Sequence, residues 1–517
     1  MGQGDGVKVR KIIYKSAYLL YNRNQFKEAS DRFRVVIGMD PASNEAEKAV
    51  DLILDSFTLV TDWVNLKEVS KAFYDQKGLG SDSFKGEVYG IYENASFKLI
   101  EESLKSTKDK AKGATDFWAF YQEFPKSANA DLALNNASVY YAELERTRDS
   151  MKVRHELIEN FPKSKYYKDQ VSQLAYSYES IADFGAAATW YEKLFSLDNA
   201  HPGAKAAIYS AALMRSALGN WETAIGDYKK YLDTYKTASD INGVNLDIAK
   251  LYESHSKWAE ASSIYFAVFN PPKPAKGVTP VAWSFDETMF ARLHYGLMMD
   301  KTGQGAKLTQ HWKDSVAWYE RAKAAGNVGG EVSTEAVGQM MFALAEPEYA
   351  AYMALKIGGP GDKKLTNKKQ VDALVTGQLV TKAKATQGIE ATYNKVINSG
   401  SGAWGLASLV HLGHAYEDLA ATLLNSYRPF YLTEDQMEIY TMQLEDKAYP
   451  ATQKGAAFYS AGLEKAYELS VYNENTAEAT RRLGVLAPDE FPGLFETIPA
   501  PRFTAPSATA ASFEKEP

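Results

Sequence analysis

The chain has 517 residues, 45% of them hydrophobic and 24% charged, with a net charge of −7 and a pI near 5.7. Since one hydrophobic core stops growing at roughly 250 to 300 residues, this length predicts several domains or a repeat array. Lys and Arg are scattered along the chain, so nucleic-acid binding, which needs a concentrated basic surface, is not expected.

Missing residue types and segments exclude further classes of protein. The chain has no Cys, which excludes disulfides, thiol catalysis and zinc–thiolate sites. No apolar run approaches the roughly 18 to 20 residues that cross a bilayer, so no transmembrane segment is expected. The first residues, MGQGDGVKVRK, lack the apolar core of a secretory signal. Two interpretations remain open: a cytoplasmic protein, or an exported one whose signal has been removed.

A repeat of 37 residues runs through the first half of the chain. In each copy an aromatic residue is followed by a small residue three positions later, an aromatic four positions after that, and an apolar residue three further on. The clearest copies begin at Phe184, Trp221 and Trp258. These spacings place the side chains on one face of a helix, and the segment before each copy has the same period. The sequence therefore predicts one helical hairpin per repeat.

Weaker copies precede these three, at the same interval except in one place. Ser70 and Arg154 stand where the later aromatic residue is expected, and Lys110 and Thr147 replace the leading one. About ten extra residues separate the copy at 63 from the copy at 110. We expect the turn-rich sequence KGLGSDS at 77–83 to belong to this insertion.

The pattern resembles the tetratricopeptide repeat (TPR). That family has a small residue in the second helix, an aromatic residue after it and a closing Pro, which FPKS supplies at 124–127 and 161–164. The resemblance implies an all-α fold, a right-handed α-solenoid of TPR-like helical hairpins. Because the family's period is 34, a period of 37 predicts slightly longer helices or loops.

Composition and pattern divide the rest of the chain. We expect a first helix at Met289–Asp300 and longer helices at Thr334–Ile357 and Lys368–Asn398. The first-helix pattern returns at Leu409–Ala420. We expect a linker that contains LTEDQMEIY to follow it, and then a last pair of helices from Tyr459. The expected domains are an N-terminal TPR-like solenoid of about seven repeats at 1–269, a Pro-rich loop or hinge at 270–288, an irregular TPR-like helical region at 289–400, a C-terminal TPR-like helical region at 401–493 and a disordered tail at 494–517.

Residues 403–496 carry a sharper resemblance. The order AWGLASLVHLGHAYEDLA, LTEDQMEIY and GLEKAYELSVYNENTAEATRRLGVLAPDEFP is similar to the ending of large TPR proteins of the bacterial gliding-motility type. Those relatives are exported envelope components. The resemblance therefore implies a periplasmic or outer-membrane-associated scaffold, with a cytoplasmic location as the alternative.

Catalytic and metal-binding patterns are weak. His411 and His414, with Glu417 or Asp418, have the spacing of one helical face and could hold a divalent metal, but an ordinary helix surface is strongly favoured, because ligand sets of this kind are usually coincidence. The Gly-rich DKTGQGAK at 300–307 lacks the spacing of a phosphate-binding loop. No GxSxG or HExxH occurs. We therefore expect no enzyme, no catalytic residue, no cofactor and no metal.

The first helices of a solenoid line an extended concave surface on which a peptide or a partner helix can lie. For any single residue there, a solvated helix surface is the alternative. Alignment to the repeat predicts that the groove-facing residues include Asn135, Tyr176, Glu179, Tyr209, Lys250 and Glu253.

The predicted function is that of a protein–protein interaction scaffold, in a cell-envelope machine such as a gliding-motility or adhesion apparatus. Its partners would be other proteins or peptides, with any membrane association made through them. A cytosolic adaptor or cochaperone is the first alternative, although the paired Lys and Asn of a carboxylate clamp are not found. A metal-dependent module is the second alternative.

Overall fold

The computed structural model describes residues 3–273, 280–356, 358 and 365–492. Within these ranges the chain is an all-α solenoid of 21 helices, with no strand. It divides into two compact units, Met1–Lys236 and Thr237–Pro517. The tail predicted at 494–517 lies outside the described residues, as do residues 274–279 of the predicted Pro-rich loop.

The described part of the first unit is built from helices joined by short connections. Its helices are α1 Gln3–Tyr21, α2 Phe26–Met39, α3 Asn44–Leu59, α4 Trp63–Asp75, α5 Asp82–Thr107, α6 Lys110–Glu123, α7 Ala130–Glu143, α8 Thr147–Asn160, α9 Tyr167–Ser180, α10 Phe184–Leu197, α11 Ala204–Ala217 and α12 Trp221–Thr234.

The helix lengths explain the period. From α6 to α12 every helix has 14 residues, three-residue turns join the two helices of a hairpin, and six-residue loops join one hairpin to the next. Two such helices, one turn and one loop together make 37 residues. The period of 37 residues therefore follows from the lengths of the two helices, the turn and the loop.

The three-residue turns share one backbone conformation. Their middle residue is left-handed, with φ of 58° at Glu145, 61° at Ala182 and 79° at Gly219. The following residue then donates its N–H to a carbonyl five positions earlier, as Asp183 does to Tyr178 at 2.9 Å. This arrangement satisfies the last carbonyls of the first helix and reverses the chain direction.

The second helix of each hairpin packs through the small residue that the sequence indicated. Ala187 and Ala224 are fully buried, and so is the later aromatic residue Tyr228. Because Ala adds only one carbon beyond the backbone, two helices approach closely there and the aromatic ring fills the space beside the contact. The prediction for these positions is confirmed.

The predicted place of the insertion is wrong. The connection from α4 to α5, residues 76–81, has the same six residues as the other loops, whereas α5 has 26 residues instead of 14. Ile100 and Leu104, in the added turns, pack against the core around α6. The extra residues therefore extend a helix and bury apolar surface, so they do not lengthen the loop at Gly78.

The second unit contains fewer regular hairpins and longer helices. Its described helices are α13 Ile241–Ser254, α14 Trp258–Phe269, α15 Phe285–Lys301, α16 Gly305–Ala324, α17 Glu331–Ala354, α18 Lys368–Asn398, α19 Gly402–Leu424, α20 Glu434–Leu469 and α21 Glu474–Leu486. The helices predicted from the sequence of this region are confirmed, with bounds that differ by several residues at some ends, except that the first helix of the last pair begins at Glu434 and not at Tyr459.

The linker predicted at LTEDQMEIY is wrong, because this segment begins α20. Thr433 caps the helix by accepting the N–H of Gln436, whose side chain accepts the N–H of Thr433 in return. This reciprocal cap satisfies two of the N–H groups that a helix start leaves open. Further along, Gly413 lets α20 approach α19, since a Cβ at Gly413 would lie 2.5 Å from the buried ring of Tyr459.

Two glycines of the α11–α12 hairpin provide a test of the turn. A Cβ added at Gly219 or at Gly226 meets no atom within 4 Å, so only the backbone distinguishes them. Gly219→Ala forces Ala into the left-handed region and should cost about 1 kcal/mol. Gly226→Ala, inside α12, should instead stabilise by about 0.5 to 1 kcal/mol. Thermal unfolding of the two variants checks this, and midpoints that move in the same direction would contradict it.

Candidate partner-binding face

Exposed apolar side chains recur at one position of the first helices in the first unit. Val139 on α7, Tyr176 on α9 and Leu213 on α11 lie one repeat apart and are 39%, 62% and 54% exposed. Single exposed apolar residues are common on protein surfaces. A row at the same position of three consecutive hairpins is not a scattered set, and we call it the apolar row.

Neighbouring first helices are in contact beneath this row. The Gln170 side chain on α9 donates from Nε2 to Oδ1 of Asn135 on α7, at 2.8 Å. Val171 and Leu174 of α9 also belong to the same buried hydrophobic cluster as Ala207 of α11. Packed helices lie roughly 8 to 10 Å apart, a distance that an extended chain covers in about three residues. One extended segment could therefore contact all three members of the row.

A more polar row runs beside the apolar one. Asn135, Ser172 and Tyr209 precede the members of the apolar row by four residues, so they lie on the same helical face. The three side chains are half-buried. The Tyr209 ring packs against Tyr228, with ring centres 5.6 Å apart. This face thus combines apolar contact area with groups that can hydrogen-bond.

Three of the six predicted groove residues, Asn135, Tyr176 and Tyr209, lie together on this face. Glu179, on α9, bonds within its own hairpin, where it accepts a hydrogen bond of 2.5 Å from the Tyr191 hydroxyl. Burial and this bond raise the pKa of Tyr191 above its usual value. The Glu179 carboxylate therefore holds α9 to α10.

Lys250 and Glu253 belong to the second unit, on α13. Glu253 accepts hydrogen bonds from Tyr265 at 2.7 Å and from Nδ1 of His294 at 2.8 Å. Burial alone would raise the pKa of Glu253, but the bonds from His294 and Tyr265 outweigh it and hold the pKa below its usual value. Lys250 remains half-exposed, with Nζ 3.3 Å from Asp247.

His411 and His414 have separate partners. Nδ1 of His411 lies 2.8 Å from the Tyr393 hydroxyl, and burial lowers the pKa of His411 to about 4, so it is neutral near pH 7. Nε2 of His414 lies 3.0 Å from Glu478. Among the described residues no group of three or more His, Asp or Glu is arranged to hold a metal.

The two acids of the same pattern are also paired. Glu417 forms an ion pair with Arg482, and Asp418 lies 2.5 Å from Nζ of Lys382. Lys382 is 1% exposed and also donates to the carbonyl of Leu355 at 2.8 Å. It thereby stabilises the end of α17 against α18 and α19, which is a structural role.

Val139 and Leu213 are not among the residues predicted from the sequence. The 37-residue spacing is clearest in the second helices, whose aromatic residues make the strongest pattern, and these two residues lie on first helices. Applying the same spacing to Tyr176 reaches both missed residues. In the described part of the chain, no helix has the length and apolar content that crossing a membrane requires.

Comparisons with known proteins give weak structural similarities. No family model and no curated protein matches the chain. BtubC (BKLC) from P. vanneervenii is 15% identical, with 45% of this chain and 93% of that one covered and a TM-score of 0.25. A tetratricopeptide repeat protein from Parabacteroides merdae is 13% identical, with 57% of this chain and 98% of that one covered and a TM-score of 0.21.

A third solved structure, the C-terminal part of a TPR repeat-containing protein from Cytophaga hutchinsonii, is 12% identical. It covers 50% of this chain and 96% of that one, with a TM-score of 0.23. Scores this low establish neither a common family nor a common function. The all-α solenoid is established by the helices and their packing.

Glu253 and Lys250 provide a test of which predicted residues are structural. Glu253→Ala should cost about 1 to 3 kcal/mol, because it leaves the buried Tyr265 hydroxyl without its acceptor. Lys250→Ala, on the same helix but half-exposed, should change stability by less than about 0.5 kcal/mol. Urea unfolding of the two variants measures both, and equal losses would contradict the assignment.

Proposed function

We propose that this chain is a non-enzymatic scaffold that binds other proteins through the face that carries the apolar row. The recurrence of Val139, Tyr176 and Leu213 at one position of three hairpins is the observation that supports this proposal. Large apolar side chains held on rigid helices supply contact area without an ordering cost to the scaffold. A segment of a partner protein in extended form fits the spacing of the row.

The contact area also limits the affinity. Fully burying one exposed large apolar side chain contributes roughly 1.5 to 3 kcal/mol, and the three side chains of the row are already about half buried, so covering them contributes on the order of 2 to 5 kcal/mol. Association costs at least about 4 kcal/mol in lost freedom of motion. The apolar row alone would therefore bind weakly, and stronger binding requires polar contacts or additional faces of the scaffold.

We propose a bacterial cell-envelope machine, such as a gliding-motility or adhesion apparatus, as the setting. The resemblance of residues 403–496 to the ending of gliding-motility-type TPR proteins supports it. A cytoplasmic adaptor is the alternative. Fractionation of native cells that carry a tagged gene decides between them: recovery with the periplasm or outer membrane is expected, and recovery only with the cytoplasm would contradict the envelope setting.

The binding face is tested by removing its apolar side chains. Tyr176→Ser combined with Leu213→Ser should reduce recovery of partner proteins in a crosslinking pull-down at least tenfold, because the main contact area is lost. Both positions are exposed, so the unfolding midpoint should stay nearly unchanged.

The matched control is Leu197→Ser, which removes a similarly exposed apolar side chain at the end of a second helix. Its partner recovery should equal that of the unaltered chain. The proposal would be wrong if the double variant and the control recovered the same partners in the same amounts.

A further inference from the structure

The junction between α7, α8 and α9 is polar at four positions that are apolar or aromatic in the following repeats. Ser138, Ser150, Arg154 and Gln170 are each at most 2% exposed. Their equivalents one or more repeats away are Ala175, Ala212 and Ala249 for Ser138; Ala187, Ala224 and Ala261 for Ser150; Tyr191, Tyr228 and Tyr265 for Arg154; and Ala133, Ala207 and Val244 for Gln170.

These four residues bond to one another. Nε of Arg154 donates to Oγ of Ser150 at 3.0 Å, and Nη1 donates to Oε1 of Gln170 at 2.7 Å. The Ser138 hydroxyl also lies 3.2 Å from Oε1 of Gln170. Each of the four polar residues hydrogen-bonds to another of the four, so they form one connected set. We call these four residues and Asn135 the polar relay.

The polar relay is costly for the fold. Arg154 forms no ion pair with a carboxylate among the described residues, so its charge is buried with neutral partners only. Burial lowers the pKa of Arg154 to about 10, which still leaves it protonated near pH 7. An uncompensated buried charge is destabilising, and the Tyr of the neighbouring repeats avoids this. Sequence choices that oppose stability are most often found at functional sites.

The hydrogen bonds run in one direction, from the buried cation to the surface. Arg154 can only donate, so Gln170 turns its oxygen inward and its Nε2 outward, where it donates to Oδ1 of Asn135 at 2.8 Å. Nδ2 of Asn135 in turn donates to Oδ1 of Asn136 at 3.3 Å. The series of hydrogen bonds therefore ends at the half-buried amides of Asn135 and Asn136, which present N–H groups. A positive charge behind N–H groups favours an anionic acceptor.

We infer that Asn135 and Asn136 form a subsite for an acidic side chain, Asp or Glu, of the protein segment that lies along the apolar row. Asn135 is four residues from Val139 on the same face of α7, so both can contact one bound segment. Arg154 acts through Gln170 as a positioning residue and does not touch the ligand. A single positive charge behind neutral amides matches a carboxylate of charge −1. This inference rests on the proposed function of the face.

The test is selection from a random dodecapeptide display library on the full chain and on Arg154→Tyr. Tyr occupies this position in three other repeats, so the variant keeps the packing pattern and should unfold at the same or a higher temperature. Arg154→Met, an unbranched apolar residue, is the second variant. Arg148→Met is the control, because it removes the same charge from the exposed face of α8.

The unaltered chain and Arg148→Met should both select peptides with apolar residues and an Asp or Glu at a fixed spacing from them. Arg154→Tyr and Arg154→Met should keep the apolar pattern and lose the acidic position. For one selected peptide, Asp→Asn or Glu→Gln should weaken binding to the unaltered chain about tenfold and leave binding to Arg154→Tyr unchanged.

Apolar peptides without an acidic position, or an acidic position that Arg154→Tyr also selects, would overturn this inference and leave the binding face standing. Selection of no peptide by the unaltered chain would instead contradict the proposed function. If both Arg154 variants unfolded at a lower temperature, the polar relay would have a structural role, for example in fixing the register of α8 against α9. This result would overturn the inference as well.

Discussion

Each hairpin of this chain can bury its apolar surface only against the hairpins beside it, and this constraint organises the structure. The contact depends on a small residue in the second helix, such as Ala187, that lets two helices approach. Because the contact recurs every 37 residues, each of the remaining positions of the repeat also has the same place and orientation within its hairpin. Equivalent side chains therefore form rows, and any departure from the repeat can be compared with its neighbours.

The core and the hairpins could be predicted from the sequence because they depend on local spacing. The aromatic and small residues of the second helices needed no knowledge of distant parts of the chain. The two errors occurred where local composition was misleading. The Gly-rich segment at 77–83 drew attention to a loop, although the extra residues continue α5, and LTEDQMEIY was assigned to a linker although its Thr and Gln form a helix cap.

The candidate site was only partly predictable. Asn135, Tyr176 and Tyr209 follow from alignment to the repeat, and the structure places them on one face of the first helices, where their part in binding stays a prediction. The hydrogen bonds that Glu179 accepts from Tyr191 and Glu253 accepts from Tyr265 could not be predicted from the sequence, because they depend on the distance between helices. Arg154 was recognised as a departure from the repeat, but its connection to Asn135 through Gln170 requires the packed helices.

Site-specific photocrosslinking in native cells tests most directly whether partners bind on the face of the apolar row. A benzoylphenylalanine would replace either Tyr176 or Leu197, two exposed apolar positions on first and second helices of the same unit. The account predicts a crosslinked partner protein from position 176 and much less from position 197. Equal crosslinking at both positions, or crosslinking only at 197, would contradict it.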